Sequence, residues 1–257
     1  MLEIRNVRKK YGHQVALDDV SLSIAPGESV SLIGESGSGK STLSRLILAL
    51  EKPSGGVILW NGRNVSELRG KKLYRDIQPV FQDNTGCFNP RRRVMDSLDE
   101  PMRNLLGIPA AEREKRICSL LERVGLPVDI ANRYPHELSG GQRRRVCIAR
   151  AISIHPELVI LDEAVTGLDA TVMMKILALL KALQRETGCA YLFITHDLRA
   201  ALYISEKIAV MKDGRIVETA EHVSSLSAFK HPFSKQLIGN RKYILLNQED
   251  YNEILHE

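Results

Sequence analysis

The sequence predicts an α/β fold with a mostly parallel central sheet. Residues 158–161 form a continuous apolar run, which is expected of a strand buried on both faces of such a sheet. Residues 29–33 form a β-rich run that leads through a glycine-rich turn into a stretch of helical spacing at 42–48. With 257 residues, the chain is long enough to form one large domain with a sizeable core.

The first part of the predicted core is residues 1–82. It begins with strand-like segments at 2–7 and 20–24 and continues through the glycine-rich turn, its helix and a strand at 56–60. A short strand-like stretch at 77–81 ends this part.

Residues 83–156 differ in character from both flanks. They carry more charge, show helical periodicity at 112–124 and are divided by proline and glycine turns, which predicts an inserted helical subdomain. Strand–helix alternation returns at 157–225 and ends in a hairpin whose turn is Lys212–Arg215. From 226–257 the pattern weakens, which predicts a C-terminal extension ending in a mobile tail.

Composition and cysteine spacing exclude several classes of protein. No run approaches eighteen apolar residues, and the N-terminus does not resemble a signal peptide, so we expect neither a transmembrane span nor secretion. The four cysteines lie far apart without a C-x-x-C pair, which argues against a zinc or iron–sulfur site. Cys147 and Cys189 lie in apolar surroundings and are predicted to be buried free thiols of a cytosolic protein.

Two dense basic runs accompany a net charge of +5. They are Arg91–Arg93 and Arg143–Arg145. A basic face suits nucleic acid or the anionic surface of a membrane, while a solvated helix face explains either run equally well. No aromatic residues interleave with the arginines, which weakens the case for stacking on bases.

A phosphate-binding loop occupies residues 34–41, which match the complete pattern G-x-x-x-x-G-K-S between a predicted strand and a predicted helix. Its glycines let backbone N–H groups turn toward a phosphate, and the helix start adds the positive end of its dipole. Lys40 is expected to reach the β- and γ-phosphates, and the Ser41 hydroxyl to complete a magnesium shell. The nucleoside triphosphate is therefore predicted to bind Gly34, Glu35, Ser36, Gly37, Ser38, Gly39, Lys40, Ser41 and Thr42.

Two carboxylates follow the apolar run at 158–161. Asp162 would end a buried strand, where an aspartate can hold magnesium, usually through water. Glu163 comes next and is placed to polarise an attacking water. Two surface carboxylates closing a strand would be the better interpretation without the loop at 34–41; with it, we favour the catalytic one.

A second glycine-rich helix start lies at residues 138–142. It is another potential anion site, although one nucleotide needs only one phosphate cradle. Two cradles in one chain are explained if each serves a different nucleotide or if two chains share each nucleotide.

The segment Leu138–Gln142 resembles the signature of ABC-type ATPases, and other motifs of that family follow in order over roughly residues 1–225. The chain is therefore identified by resemblance as a P-loop ATPase of this family, with an N-terminal antiparallel β part and an inserted helical subdomain. The matching positions outside the phosphate loop are Tyr11, Gln82, Ser139, Gly140, Gly141, Gln142, Asp162, Glu163, Asp169 and His196.

The resemblance implies a role for each of these positions. Tyr11 would stack on adenine, and Asp169 would belong to the D-loop. The implied catalytic residues are Glu163, His196 and Gln82. The implied magnesium ligands are Ser41, Gln82 and Asp162. The implied contacts to a nucleotide held by a second chain are Ser139, Gly140, Gly141 and Gln142. His196 follows an apolar strand, where a purely structural histidine is the common alternative.

The same resemblance implies ATP and Mg²⁺ as ligands and a transporter as the setting. The expected partners are a second ABC ATPase (a sister protein or a copy), two membrane-spanning permease subunits and an extracytoplasmic substrate-binding protein. The chain would lie at the cytoplasmic face of a bacterial inner membrane. Because it has one cassette and lacks the insertions of DNA-handling relatives, we do not expect nucleic acid as a partner.

Residues beyond the ATPase motifs resemble the peptide/nickel importer branch. These are 81–83, 88–91, 100–102 and 231–237. Ala164 stands where peptide-transport members usually have proline and nickel-import subunits commonly have alanine. The resemblance therefore implies nickel import, with oligopeptide import as the alternative.

Overall fold

The computed structural model describes residues 1–68, 70–81, 88–221, 223 and 228–239. Contacts divide the chain into two compact units, one formed by Met1–Arg69 with Ala190–Glu257 and the other by Gly70–Cys189. The helical subdomain predicted at 83–156 falls inside the second unit.

The N-terminal part of the first unit is an antiparallel sheet of β1 (Leu2–Tyr11), β2 (Gln14–Ile24), β4 (Gly55–Trp60) and β5 (Arg63–Asn64), in the order β2-β1-β4-β5. Leu2 and Ile4 of β1 are both buried, because side chains two residues apart in a strand point to the same face. Val7 is buried as well, after a register shift between Ile4 and Val7.

The first unit also contains parallel pairs around β3 (Ser29–Gly34). This strand pairs in parallel with β8 (Ala190–Thr195) on one side and with β9 (Lys207–Lys212) on the other. The last strand, β10 (Arg215–Ala220), forms an antiparallel hairpin with β9. Every residue of β3 and β8 is buried, as expected for strands covered on both faces.

The described residues of this unit also form the helices α1 (Lys40–Ile47), α7 (Leu198–Ile204) and α8 (Pro232–Gly239). The weak sequence pattern of 226–257 predicts only an extension with a mobile tail. The structure places helix α8 in this segment, and its Phe233 and Leu237 pack into the core beside β3 and β9. Eight residues are too few to show helical periodicity clearly. The predicted mobile tail lies outside the described residues.

The second unit is mainly helical. Its strands β6 (Ile77–Val80) and β7 (Leu158–Asp162) pair in parallel. Its α-helices are α2 (Lys71–Asp76), α3 (Val94–Pro101), α4 (Ala110–Arg123), α5 (Gly140–Ile152) and α6 (Ala170–Thr187). A π-helical turn spans Met102–Leu106, and 3₁₀ turns span Val128–Asn132 and Pro135–Glu137.

The helix predicted at 112–124 is α4, which begins two residues earlier. It buries Ile117 together with Leu120 and Leu121, which follow three and four residues later and so lie on the same face of the helix. Among the described helices, none has the length and apolar character needed to cross a membrane.

Both predicted buried thiols are confirmed. Cys147 and Cys189 form no disulfide within the described residues and are only 4% and 3% exposed, respectively. Burial raises the pKa of the Cys189 thiol to about 12, so this side chain is neutral at physiological pH.

Candidate nucleotide-binding site

The phosphate loop connects the buried strand β3 to helix α1. The backbone leaves β3 at Gly34 and turns through left-handed conformations at Gly37 (φ 82°) and Gly39 (φ 107°) before α1 begins at Lys40. Gly39 is the N-cap, and its carbonyl accepts the first helical hydrogen bond, from Leu43 N at 2.9 Å. This strand–loop–helix order is the one that the sequence predicts.

Two glycines of the loop are required by close approach of other backbone segments. A Cβ atom on Gly34 would lie 2.2 Å from the carbonyl oxygen of Met211 in β9, and one on Gly39 would lie 2.6 Å from the carbonyl oxygen of Ala16 in β2. A Cβ atom on Gly37 would meet nothing within 4 Å. The two glycines that the pattern G-x-x-x-x-G specifies are therefore the two that no other residue can replace without moving a neighbouring strand.

Lys40 places a buried positive charge at the centre of the loop. The residue is 5% exposed, and its ammonium donates to the Gly34 carbonyl at 2.9 Å, the Glu35 carbonyl at 2.7 Å and the Ser38 hydroxyl at 3.3 Å. The first turn of α1 contains no acidic residue. A cation and a helix N-terminus at one point fit a polyphosphate anion.

The donors expected for magnesium are hydroxyl and carboxylate oxygens, which this hard cation prefers. Ser41 is exposed at the first turn of α1 in the first unit, and Asp162 is buried at the end of β7 in the second. Gln82 lies outside the described residues. No cluster of three or more histidine, cysteine or acidic side chains suited to a metal occurs in the part of the chain that the structure describes.

Tyr11 ends strand β1 and is 43% exposed. Its hydroxyl donates to the carboxylate of Glu51, and this hydrogen bond is the main reason that the pKa of Tyr11 is raised. The ammonium of Lys9 lies 4.8 Å from the ring centroid. The sequence motif points to Tyr11 but not to its partners Lys9 and Glu51, and Glu51 lies forty positions away, beyond the reach of any local pattern.

His196 lies between the end of β8 and the start of α7 and is half-buried. The next residue, Asp197, is 2% exposed and caps α7, since its Oδ1 accepts from Arg199 N at 2.9 Å and Ala200 N at 3.1 Å. Burial raises the pKa of Asp197. The capped helix start holds His196 at the carboxyl end of a parallel strand, the edge where α/β sheets bind ligands.

In the second unit, the two predicted carboxylates lie at the end of β7. Asp162 is 6% exposed, and Glu163 adopts a left-handed backbone conformation (φ 49°). Such a conformation costs a non-glycine residue about 1–3 kcal/mol and is common at functional sites. The turn is held by a hydrogen bond from Thr166 N to the Glu163 carbonyl at 3.1 Å and by the complete burial of Ala164.

The signature segment forms the capped N-terminus of α5. Ser139 Oγ accepts from Gln142 N at 3.2 Å, and Gln142 Oε1 accepts from Ser139 N at 2.9 Å, which is a reciprocal capping box. Gly140 is exposed and Gly141 half-buried. A Cβ atom on Gly141 would approach the Val172 side chain to 3.0 Å.

The start of α6 is therefore the neighbour of the signature segment. Asp169 is exposed and caps α6 by accepting from Val172 N at 2.9 Å. About thirty residues of sequence separate the segment 138–142 from Asp169, and the close approach of the Val172 side chain to Gly141 brings the starts of α5 and α6 together.

The basic run at 143–145 is neither a solvated helix face nor an open basic patch. Arg143 donates to the Leu138 carbonyl at 2.9 Å, Arg144 to the Phe81 carbonyl at 3.1 Å and Arg145 to the Gly125 carbonyl at 3.1 Å. Arg144 is only 3% exposed. These side chains tie α5 to the loops around it, because a guanidinium can satisfy carbonyls that no backbone N–H reaches. The run at 91–93 is exposed.

The structure thus distributes the predicted site residues over both units. The first unit holds Tyr11, residues 34–42 and His196. The second holds residues 139–142, Asp162, Glu163 and Asp169.

Comparison with known proteins identifies the family. The family model described as ABC transporter matches residues 17–166, which is more than half of the chain. The chain belongs to the ABC transporter family. The resemblance found in the motifs is confirmed.

Two curated relatives illustrate the range of cargo within the family. The nickel import ATP-binding protein NikE of Escherichia coli O157:H7 is 47% identical over 213 residues, which are 82% of this chain and 80% of NikE. The glutathione import ATP-binding protein GsiA of Escherichia coli (strain K12) is 45% identical over 227 residues. That match covers 87% of this chain but only 36% of the length of GsiA.

Solved structures of similar fold are ABC cassettes. The dimeric structure of MJ0796, a bacterial ABC transporter cassette, has a TM-score of 0.79 and 33% identity, covering 87% of this chain and 99% of that one. A post-hydrolysis state of MJ0796, bound to ADP and Pi, gives a TM-score of 0.78. CbiO1 of Clostridium perfringens, part of the transporter complex cbiONQ, has a TM-score of 0.78 and 27% identity over all of this chain. The predicted fold class is confirmed.

Proposed function

We propose that this chain is the ATP-binding and ATP-hydrolysing subunit of an ABC importer. The observation that carries the proposal is the buried ammonium of Lys40, held inside a glycine-rich loop at the start of α1. A buried cation at a helix N-terminus stabilises the β- and γ-phosphates of a nucleotide. The ADP and Pi bound to the similar MJ0796 cassette support ATP as the ligand.

The individual roles combine the chemistry of each group with the resemblance to ABC-type ATPases, on which the roles of Gln82 and His196 depend. Residues 34–42 bind the triphosphate, and Ser41, Asp162 and Gln82 are the groups that would hold magnesium. When bound, the metal neutralises charge on the β- and γ-phosphates. Glu163 takes the proton of the attacking water as general base, and His196 orients the γ-phosphate.

We further propose that hydrolysis drives the opening of a two-chain assembly. Each ATP would lie between the phosphate loop of one ATPase and the signature segment of the other, with Asp169 near the junction. ATP would hold the pair closed, and the like-charged products would separate it. To convert a 1:99 equilibrium into 99:1, ATP must favour the closed pair by about 5.5 kcal/mol. The dimeric MJ0796 cassette supports this arrangement.

Glu163→Gln tests the catalytic assignment. The variant should bind ATP like the parent but hydrolyse it at least about 10²-fold more slowly, the scale of a lost general base. Glu114→Gln, an exposed position on α4, is the matched control and should keep parental turnover. Parental phosphate release from Glu163→Gln would move the base elsewhere, with His196 the next candidate.

The proposed partners are two permease subunits, an extracytoplasmic substrate-binding protein and a second ATPase, at the cytoplasmic face of a bacterial inner membrane. Nucleic acid is the alternative partner. Filter binding with single- and double-stranded DNA and RNA at physiological salt should detect no specific complex. Submicromolar binding, or stimulation of ATP hydrolysis by any of them, would contradict the transporter proposal.

For the cargo, we propose nickel. The support is the resemblance to nickel-import subunits at Ala164, together with 47% identity to NikE. The second candidate is a small peptide, which is favoured by 45% identity to GsiA. ATP hydrolysis is chemically the same for either cargo, since the selective pockets would lie in other chains of the importer.

Uptake measurements separate the two cargoes. A strain lacking this gene should accumulate less radioactive nickel from micromolar medium while taking up labelled glutathione and dipeptides normally. Complementation with the parental gene should restore nickel uptake, and the Glu163→Gln gene should not. Loss of peptide uptake with unchanged nickel accumulation would select the peptide importer instead.

A further inference from the structure

Three side chains form a hydrogen-bonded and ionic cluster beside the phosphate loop. Lys9 and Tyr11 lie two residues apart on β1, so both side chains leave the same face of the strand. The Lys9 ammonium lies 2.9 Å from a carboxylate oxygen of Glu51, and the Tyr11 hydroxyl donates to the same oxygen. Lys9 also donates to the Lys52 carbonyl at 2.9 Å. We call Lys9, Tyr11 and Glu51 the aromatic-clamp cluster.

The cluster restrains the Tyr11 ring at two points. Glu51 holds the hydroxyl at one end of the ring, and the Lys9 ammonium lies over one face, 4.8 Å from the centroid. A cation at this distance is attracted by the ring electrons. With its hydroxyl and one face engaged, the ring loses most of its freedom to rotate, although 43% of the residue remains exposed.

The cluster is also tied to helix α1. A guanidinium nitrogen of Arg45 in α1 lies 3.6 Å from the other carboxylate oxygen of Glu51. The pKa of Tyr11 is raised chiefly by the hydrogen bond to Glu51, and the pKa of Glu51 is lowered chiefly by the same bond. The two pKa values shift in opposite directions because the hydrogen bond stabilises the neutral phenol and the charged carboxylate. The carboxylate that holds the ring is thereby linked to the helix that begins at Lys40.

We propose that Glu51 and Lys9 are positioning residues that fix the Tyr11 ring in the orientation in which a purine base stacks on it. The inference rests on the proposed function, because it concerns the base of a nucleotide whose phosphates occupy residues 34–42. Glu51 and Lys9 act only through the ring. A ring that is ordered in advance spares the nucleotide the entropy of ordering it, about 0.5–1.5 kcal/mol for one side chain.

The test compares two probes in equilibrium binding, ATP and inorganic tripolyphosphate. Tripolyphosphate carries the phosphates without a base, so it reports on the loop alone. Glu51→Ala should raise the Kd for ATP about 2- to 12-fold, the factor that corresponds to ordering one side chain, and leave the Kd for tripolyphosphate unchanged. Glu67→Ala, an exposed carboxylate of the same unit, should change neither value.

Two further variants separate positioning from general stability. Tyr11→Phe keeps the ring and removes the hydroxyl, so it should weaken ATP binding as Glu51→Ala does. The double variant should be no weaker than either single one, because both lose the same hydrogen bond. Glu51→Gln keeps an acceptor for the Tyr11 hydroxyl and should recover part of the ATP affinity.

The possible failures can be told apart. Parental ATP affinity in Glu51→Ala overturns this inference, and so does an equal loss of affinity for ATP and tripolyphosphate, which would indicate a structural role. Fully additive effects in the double variant would also overturn it. A parent chain that binds neither probe overturns the proposed function and this inference together.

Discussion

Alanine substitutions at the three loop glycines should rank in a definite order. Gly37→Ala places a Cβ atom in open space and costs only backbone strain at φ 82°. The left-handed conformation costs an alanine about 1–2 kcal/mol. Alanine also restricts the unfolded chain more than glycine does, which stabilises the folded state by about 0.4–1 kcal/mol. The net loss should therefore be about 1.6 kcal/mol at most. Gly39→Ala adds to similar strain a Cβ atom 2.6 Å from the Ala16 carbonyl oxygen.

Gly34→Ala has no left-handed strain but the closest approach, 2.2 Å between the new Cβ and the carbonyl oxygen of Met211. Relief requires β9 to move away from β3, and such overpacking costs about 1–3 kcal/mol or more. In a domain of this size, 1 kcal/mol lowers Tm by about 2–4 °C. We therefore expect losses of about 6 °C or less for Gly37→Ala and larger losses for the other two variants.

Thermal unfolding and tripolyphosphate binding together test this ranking. Gly62→Ala is the matched control, since Gly62 has a similar φ of 75° and equally open space in the turn between β4 and β5. It should lower Tm as Gly37→Ala does and leave tripolyphosphate affinity intact, whereas Gly34→Ala and Gly39→Ala should abolish that affinity. A Gly34→Ala variant with parental Tm, or a Gly37→Ala variant as unstable as Gly34→Ala, would refute the reasoning.

Three further predictions concern buried groups. Because burial raises the pKa of Asp197, the folded chain binds a proton more tightly than the unfolded one, and this residue's contribution to stability falls as pH rises above its ordinary range. Urea unfolding at 25 °C between pH 4 and pH 7 should therefore show Asp197→Asn gaining stability relative to the parent. Asp197→Ala should instead lose about 1 kcal/mol of helix-capping energy. An equal loss of stability in the two variants would contradict this prediction. With a pKa of about 12, the Cys189 thiol has a thiolate fraction of about 10⁻⁴ at pH 8. After the native chain is treated with maleimide, peptide mapping should therefore find the label on Cys118 and not on Cys189. Rapid labelling of Cys189 would contradict this prediction. Arg144→Met should reduce the free energy of unfolding by about 1–3 kcal/mol, because the Phe81 carbonyl loses this donor. The control Arg92→Met, at an exposed position, should reduce it by about 0.5 kcal/mol or less. Equal reductions in the two variants would contradict a structural role for Arg144.

The elements that the sequence predicts well are those whose cause is local. The phosphate loop follows from spacing alone, since Gly34 and Gly39 are both demanded by backbone approach and Lys40 begins a helix directly after them. The buried strands follow from continuous apolar runs, which is why β7 begins at the predicted residue 158.

The features that the sequence does not predict depend on contacts between distant residues. Glu51 hydrogen-bonds to Tyr11 although forty positions separate them in sequence. The sequence of Arg143–Arg145 is that of a solvated basic patch, and only the structure shows the backbone carbonyls to which these arginines donate. The left-handed conformation of Glu163 is likewise absent from any local pattern, because glutamate rarely adopts it without support from the surrounding fold.

The domain boundaries at 82/83, 156/157 and 225/226 remain predictions. So do the roles assigned to the individual site residues, of which Gln82 lies outside the described part of the chain. Glu163→Gln and Lys40→Ala test two of these roles.

The central claim is that Lys40 and its loop bind the phosphates of ATP, and equilibrium binding of ATP to the purified chain tests it most directly. Lys40→Ala removes the one side-chain cation that the structure places inside the loop, so the Kd should rise at least about 100-fold, or about 2.7 kcal/mol. Lys71→Ala, an exposed lysine on α2, should bind like the parent. A Lys40→Ala variant that remains folded and binds ATP with parental affinity would contradict the account.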